Sequence, residues 1–332
     1  MQCKDRCIDT IFVRRYNERE SNTVEGERKK ALSELTQEIR RLKQQRNAVI
    51  LAHNYQIDEV QAVADYVGDS FYLSRQAATL ACDVIVFCGV YFMAETAKLL
   101  SPDKTVLLPE ADAGCPLADT ITAEDVRELK RLYPGVPVVC YINSSAEVKA
   151  ESDICCTSSN AVHIIRSLPD RQVIFIPDGH LGDYVAKQVP DKKLILWGGS
   201  CVTHAKVKPD DVLKARQRHP EAKILVHPEC SPEVVALADF AGSTSEIIRC
   251  AENSADKTYL IGTEAGVLCQ LKASRPDKEF FLLHAGLYCP NMKKTRLQSI
   301  YQALLDDQYS MKLDERTAKP ATRTLRRMLE MV

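Results

Sequence analysis

The chain contains no apolar run approaching the roughly 20 residues that a membrane-spanning helix needs. Its first 30 residues are charged throughout and hold no apolar core of a secretory signal. A cytoplasmic protein without membrane contact is expected. Neither sign of charge is in excess: 44 Lys and Arg stand against 45 Asp and Glu, intermixed, for a formal net charge of -1. That removes the basic footprint of a nucleic-acid binder, and no helix-turn-helix pattern takes its place. Close Cys-x-x-Cys pairs, the usual frame of a structural zinc site, are absent. So is the run of cysteines found in ferredoxins. The 13 cysteines are odd in number and too sparse over 332 residues for a disulfide framework. Small molecules are the expected partners.

With 45% apolar and 27% charged residues, the chain has room for two or three ordinary globular domains. Short apolar runs ending in polar residues alternate with helical spacing from Leu32 onward. Ala48–Cys88 reads as strand, helices around Val60–Tyr66 and Ser74–Ala81, and strand again. Phe92–Leu100 then reads as helix and Thr105–Pro109 as strand. The same order follows twice more, through strands at Val136–Ile142, Gln172–Ile176 and Lys193–Trp197, then at Ala222–Val226, Lys257–Ile261 and Glu279–Leu283. Each round closes on a glycine-rich loop with one cysteine: Cys115, Cys201 and Cys289, separated by 86 and 88 residues. Tyr55, Tyr141 and Glu229 each lie 60 residues before their own cysteine. The fold class expected is therefore α/β: three homologous parallel-sheet domains in pseudo-threefold arrangement around a central site. Their spans are 32–114, 115–200 and 201–289, after a flexible extension over 1–31. C-terminal helices in 290–332 are expected to pack back on the first domain.

Ligands of such sheets bind at the carboxyl ends of the strands. Applied to each repeat, that rule selects His53-Asn-Tyr55, Tyr141-Ile-Asn143 and His227-Pro-Glu229, together with the helix starts at Ser70, Ser158 and Thr244. Hydroxyls and free N–H groups at helix starts suit anions, although any one of them also serves as a plain cap. His204 follows the second anchor cysteine. Three thiols from three domains suit a [4Fe–4S] cluster with one open iron. Spacing alone also admits three unrelated buried thiols. Cys82, Cys88, Cys140, Cys250 and Cys269 lie inside apolar patterns and read as core residues.

From about Leu35 onward the sequence resembles the quinolinate synthase family. The resemblance rests on Ala52-His-Asn-Tyr-Gln56, Gly68-Asp-Ser70, Phe92-Met-Ala-Glu-Thr-Ala97, Tyr141-Ile-Asn143, Thr157-Ser-Ser-Asn160, His227-Pro-Glu229, Gly242-Ser-Thr-Ser245 and Cys289-Pro-Asn-Met292. It implies a [4Fe–4S] cluster on Cys115, Cys201 and Cys289. It implies condensation of iminoaspartate with dihydroxyacetone phosphate, with loss of phosphate and water, and a transient contact with the enzyme that supplies iminoaspartate. Acid–base work is expected of His53, Tyr55, His204 and Glu229. Substrate binding is expected of His53, Ser70, Tyr141, Asn143, Ser158, His227, Glu229 and Thr244. The first domain, entered from the extension, is expected to be the loosely joined lid. Another cluster-dependent hydro-lyase and a non-catalytic iron–sulfur sensor remain as alternatives.

Overall fold

The computed structural model describes residues 30–331. Most of the expected extension, with Cys3 and Cys7, lies outside them; residues 30 and 31 already belong to helix α1 (30–45). The first unit runs β1 (Ala48–His53), α2 (Asp58–Val63), β2 (Tyr66–Gly68), α3 (Ser70–Thr79), β3 (Val84–Cys88), α4 (Tyr91–Leu100) and β4 (Thr105–Leu107). The second runs α5 (Ala123–Leu132), β5 (Val138–Tyr141), α6 (Ala146–Glu151), β6 (Ile154–Cys156), α7 (Ala161–Ser167), β7 (Gln172–Ile176), α8 (Gly179–Gln188) and β8 (Lys193–Leu196). The third runs α9 (Pro209–Arg218), β9 (Lys223–Val226), α10 (Pro232–Leu237), β10 (Phe240–Ala241), α11 (Thr244–Asn253), β11 (Thr258–Gly262), α12 (Val267–Ser274) and β12 (Glu279–Leu282). Two helices close the chain: α13 (Leu297–Asp306) and α14 (Glu315–Glu330).

Each unit forms a four-stranded sheet, in the orders β2-β1-β3-β4, β6-β5-β7-β8 and β10-β9-β11-β12. All pairings within these sheets are parallel. In chain terms the order is the same three times, so the strand order reverses between the first and third strand of every unit. That reversal opens a crevice at their carboxyl ends.

The second strand of each unit is two or three residues long, too short to show an apolar run. Tyr66, read as helical from spacing, belongs to one of them. What holds these edges is an aspartate repeated in all three units. Asp65, Asp153 and Asp239 each accept, at 2.8 Å through Oδ2, the N–H of the first-strand residue 15 positions earlier: Ile50, Val138 and Ile224. Each also donates its own N–H to the carbonyl of that same residue. The pair of bonds locks the register of an edge that side-chain packing alone would leave loose.

The cores do not follow the three units. One buried apolar cluster runs without a break from Leu51, Phe87 and Met93 of the first unit through Ile142, Val148 and Ile165 of the second. The opposite face of the first sheet is covered by Ile39 and Leu42 of α1 and Ile300 and Leu304 of α13. The third unit has two clusters of its own, one on each face of its sheet. Two expectations are corrected here. The first unit is not the loosely joined one, because it shares its core with the second. Of the C-terminal helices, α13 lies on the first sheet, but α14 packs on α6 and β6 of the second unit as well as on α4. Its Ala321, Leu325 and Met328, spaced as one helical face, are buried in the shared cluster. Among the described residues no helix is long and apolar enough to cross a membrane.

Candidate active site

The crevices of the three sheets face one shared cavity. All thirteen candidate residues line it: His53, Tyr55, Ser70, Cys115, Tyr141, Asn143, Ser158, Cys201, His204, His227, Glu229, Thr244 and Cys289.

The turns after β1 and β9 are built alike. His53 Nδ1 accepts the N–H of Tyr55 at 3.2 Å, and His227 Nδ1 accepts that of Glu229 at 3.2 Å. A bond into Nδ1 leaves the ring proton on Nε2. For His227 that nitrogen lies 3.2 Å from Ser158 Oγ. Burial pushes both imidazoles down to about 4, outweighing the nearby carboxylates of Asp69 and Glu229. They are neutral at neutral pH.

Glu229 is the hub. Tyr141 donates its hydroxyl to Oε1 at 2.8 Å, Asn143 Nδ2 lies 3.4 Å from the same oxygen, and His204 Nδ1 lies 2.7 Å from Oε2. Burial pushes this carboxyl upward, but His204 and His227 beside it, with the hydrogen bonds from His204 and Tyr141, hold it well below the usual carboxylate range. Since His227 is neutral above about pH 4, at neutral pH the holding falls to His204 and Tyr141. On its other side His204 Nε2 lies 3.0 Å from Thr263 Oγ1, and Thr263 Oγ1 lies 2.6 Å from the Tyr55 hydroxyl. Tyr55 also meets Thr244 Oγ1 at 2.9 Å, and burial keeps its phenol protonated far above its ordinary range. An unbroken chain of polar contacts thus runs Tyr55, Thr263, His204, Glu229, Tyr141, from the first unit through the third to the second.

The anchor cysteines end three loops at the cavity. Gly199 in the second loop has no room for a side chain: a Cβ there would come within 2.4 Å of the Pro177 carbonyl oxygen and 2.5 Å of Thr120 Oγ1. Burial pushes the Cys115 thiol up to about 12, and raises Cys201 and Cys289 as well. Buried thiols of this kind stay neutral until a cation draws off the proton. All eleven described cysteines are free of disulfides. Metal-ligating atoms of Cys201, His204 and Glu229 fall within 4.8 Å of one another, a set able to hold a metal ion. The three anchor sulfurs do not gather that tightly. Each lines the cavity from its own loop.

Three further groups complete the site, and reading first-strand ends alone finds none of them. Thr263 links Tyr55 to His204 from the end of β11, the switch-point strand. Glu264 beside it is fully buried; its Oε1 accepts the Cys289 N–H at 3.1 Å, and its Oε2 accepts those of Gly266 at 2.7 Å and the Lys293 ammonium at 2.9 Å. Lys293 in turn donates to the Tyr55 carbonyl at 2.5 Å. This buried ion pair fixes the backbone of one anchor cysteine against that of one candidate acid. Extending the strand-end rule from first strands to third strands finds Thr263 and Glu264; Lys293 answers to no rule.

Fold and site together define an enzyme class: three fused α/β units that bring thiols, imidazoles, phenols and carboxylates to a shared cavity. A family model described as quinolinate synthetase A protein matches residues 37–330. The chain is 59% identical to the quinolinate synthase of Caldicellulosiruptor saccharolyticus over 90% of its own length and 99% of that protein. It is 56% identical to that of Alkaliphilus metalliredigens (89% and 97% covered) and 52% identical to that of Thermodesulfovibrio yellowstonii (89% and 98% covered). The chain belongs to the quinolinate synthase family of enzymes of NAD biosynthesis.

Proposed function

We propose that this chain forms quinolinate in the cytoplasm by condensing iminoaspartate with dihydroxyacetone phosphate, and that Cys115, Cys201 and Cys289 hold a [4Fe–4S] cluster at the junction of the three units. The observation that carries the reading is the meeting of three equivalent loop thiols with the polar chain from Tyr55 to Tyr141 in one cavity. The soft, all-thiolate donor set suits iron–sulfur chemistry. When bound, the cluster supplies a Lewis-acidic iron not covered by thiolate.

The protein's own groups take the remaining tasks. Ser70, Ser158 and Thr244 offer hydroxyls to a phosphate and two carboxylates. Neutral His53 and His227 present Nε2–H donors, and Tyr141 and Asn143 orient Glu229 while leaving room for the substrate. Glu229, ionised at neutral pH and buried, is the base that accepts a proton from carbon or nitrogen. His204 passes protons between Glu229 and Thr263, and Tyr55 is the acid at the far end. A single divalent ion on Cys201, His204 and Glu229 is the second reading, favoured by the closeness of those three groups. It would leave Cys115 and Cys289 without a task and would occupy the base.

Anaerobic preparations of Cys115→Ser, Cys201→Ser and Cys289→Ser test the assignment through iron, sulfide and visible absorbance, together with quinolinate formation. Each replacement is expected to abolish all of them, while Cys250→Ser leaves them unchanged. Full iron content after loss of Cys201 would remove the cluster assignment. One metal per chain without sulfide would establish the single-ion reading instead.

A further inference from the structure

Asp69 lines the cavity but has no part in the chemistry above. Its side chain is 6% exposed, and among the described residues no Lys, Arg or His lies within ion-pair distance of it. A buried carboxylate without a cation is tolerated only when donors fill its lone pairs. The donors here come from all three units. Oδ1 accepts the N–H of Tyr72 at 2.9 Å, capping α3 in its own unit. Oδ2 accepts the hydroxyl of Ser159 in the second unit at 3.0 Å and that of Ser245 in the third at 2.6 Å. Each of those serines directly follows a residue assigned to the substrate. Ser158 faces His227, and Thr244 faces Tyr55.

We propose that Asp69 is a positioning residue: its one carboxylate fastens the three units together over the cavity through Ser159 and Ser245, and so sets Ser158 and Thr244 toward the substrate. The part concerning substrate rests on the reading of this cavity given above; the fastening does not. Closure completes the carboxylate's hydrogen bonds, and parting of the units strips it of two donors. Both states are then distinct, and substrate binding draws on the closed one.

The test uses the cluster-loaded enzyme with the double variant Ser159→Ala/Ser245→Ala, which keeps Asp69 and its helix cap, and with Asp69→Asn alone and combined with the double. The single Ser245→Ala serves if the double variant does not fold. The expected result for the double variant is a rise in KM of about 10- to 100-fold, the scale of a hydrogen bond to a charged group, with kcat changed less than about threefold and iron content intact. Amides at the starts of α7 and α11 are expected to exchange faster in the substrate-free protein. Asp69→Asn added to the double variant is expected to do little more, because both act on one contact. Unchanged KM and unchanged exchange would overturn the proposal, as would effects of Asp69 and the serines that simply add. If the unaltered enzyme forms no quinolinate, the functional reading has failed, and hydrogen exchange still decides the fastening.

Discussion

The first and second units are joined differently from the way either is joined to the third. Between the first two the contact is apolar and continuous, sealed by Leu325 and Met328 of α14. Neither cluster of the third unit includes a residue from the others. Beyond Cys201 and Cys289, which pack against the shared cluster, its links to them are mainly polar: Tyr141 to Glu229, His227 to Ser158, Tyr184 to the Ala241 carbonyl at 3.1 Å, Gln61 to the Gly266 carbonyl at 3.0 Å, and Asn54 to Gln270 at 2.6 Å. Fully burying one Leu or Ile stabilises by about 1.5–3 kcal/mol, whereas a neutral hydrogen bond nets about 0.5–1.5. Water can replace the second kind of contact and cannot replace the first. The seam that parts at low cost is therefore the one around the third unit, and the candidate acid–base contacts cross it.

Four changes test that difference. The largest effect is expected on the polar seam at Glu229. Glu229→Gln keeps size and most hydrogen bonding but removes the base, and turnover is expected to fall by about 10²-fold or more with iron content preserved; near-normal turnover would leave Glu229 as a seam contact only. Next is the apolar seam. Leu325→Ala opens a cavity where the side chain is fully buried, and a loss of about 2–5 kcal/mol is expected in urea unfolding, with amide protection in β9 and β11 unaffected. A spread of that loss into the third unit would show that the cores are not separate. A smaller change is expected from Gln61→Ala. Gln61 Nε2 contacts the carbonyls of Asn54, Gln56 and Gly266 at 2.9–3.0 Å, and losing it is expected to cost about 1–3 kcal/mol and to speed exchange in β11 but not in β5.

The smallest concerns Glu95, a carboxylate buried at the apolar seam. Glu95 accepts the N–H of Ala146 across it at 3.2 Å, and burial, aided by Glu147 and opposed by Lys149 and that hydrogen bond, pushes it from 4.5 up to about 6. A folded value above the unfolded one means that the protonated form favours the fold. Stability is then fullest below about pH 4.5 and declines by about 1–2 kcal/mol as pH rises through 6. Glu95→Gln is expected to flatten that decline in chemical unfolding measured between pH 4.5 and 7.

The periodic part of this molecule was legible in its sequence. Nine strands carry apolar runs long enough to see, but the equal 60-residue steps from Tyr55, Tyr141 and Glu229 to their cysteines do not mark equivalent positions: the aspartate bonds to Ile50, Val138 and Ile224 align Tyr55 with Asn143 and Glu229, and Tyr141 with His53 and His227. Three strands were not legible, because β2, β6 and β10 are too short to show an apolar run and their edges are tied by the side-chain oxygen and N–H of Asp65, Asp153 and Asp239. Relations between units escaped as well. That Asp69 caps a helix follows from Gly68-Asp-Ser70; that its second oxygen meets Ser159 and Ser245 requires three helix starts to converge. The shared core of the first two units depends on which sheet faces meet, and a strand buried on both faces reads the same whichever neighbour covers it. Gly266 shows the limit: a Cβ there would come within 2.7 Å of the Tyr55 backbone, a clash invisible until the third unit is laid against the first.

The repeated strand order has a consequence for what such a site can catalyse. A ring of three identical subunits would have to present the same side chain three times, and could offer three phenols or three carboxylates but not a phenol, an amide and a carboxylate. Covalent fusion lifts that restriction. Once the copies share one chain they diverge independently, so that equivalent strand ends now bear Tyr55, Asn143 and Glu229 in one position and His53, Tyr141 and His227 in another, while all three loops keep a thiol. The side of the cavity that bears the thiols retains its threefold likeness, and the side that bears the strand ends has become handed.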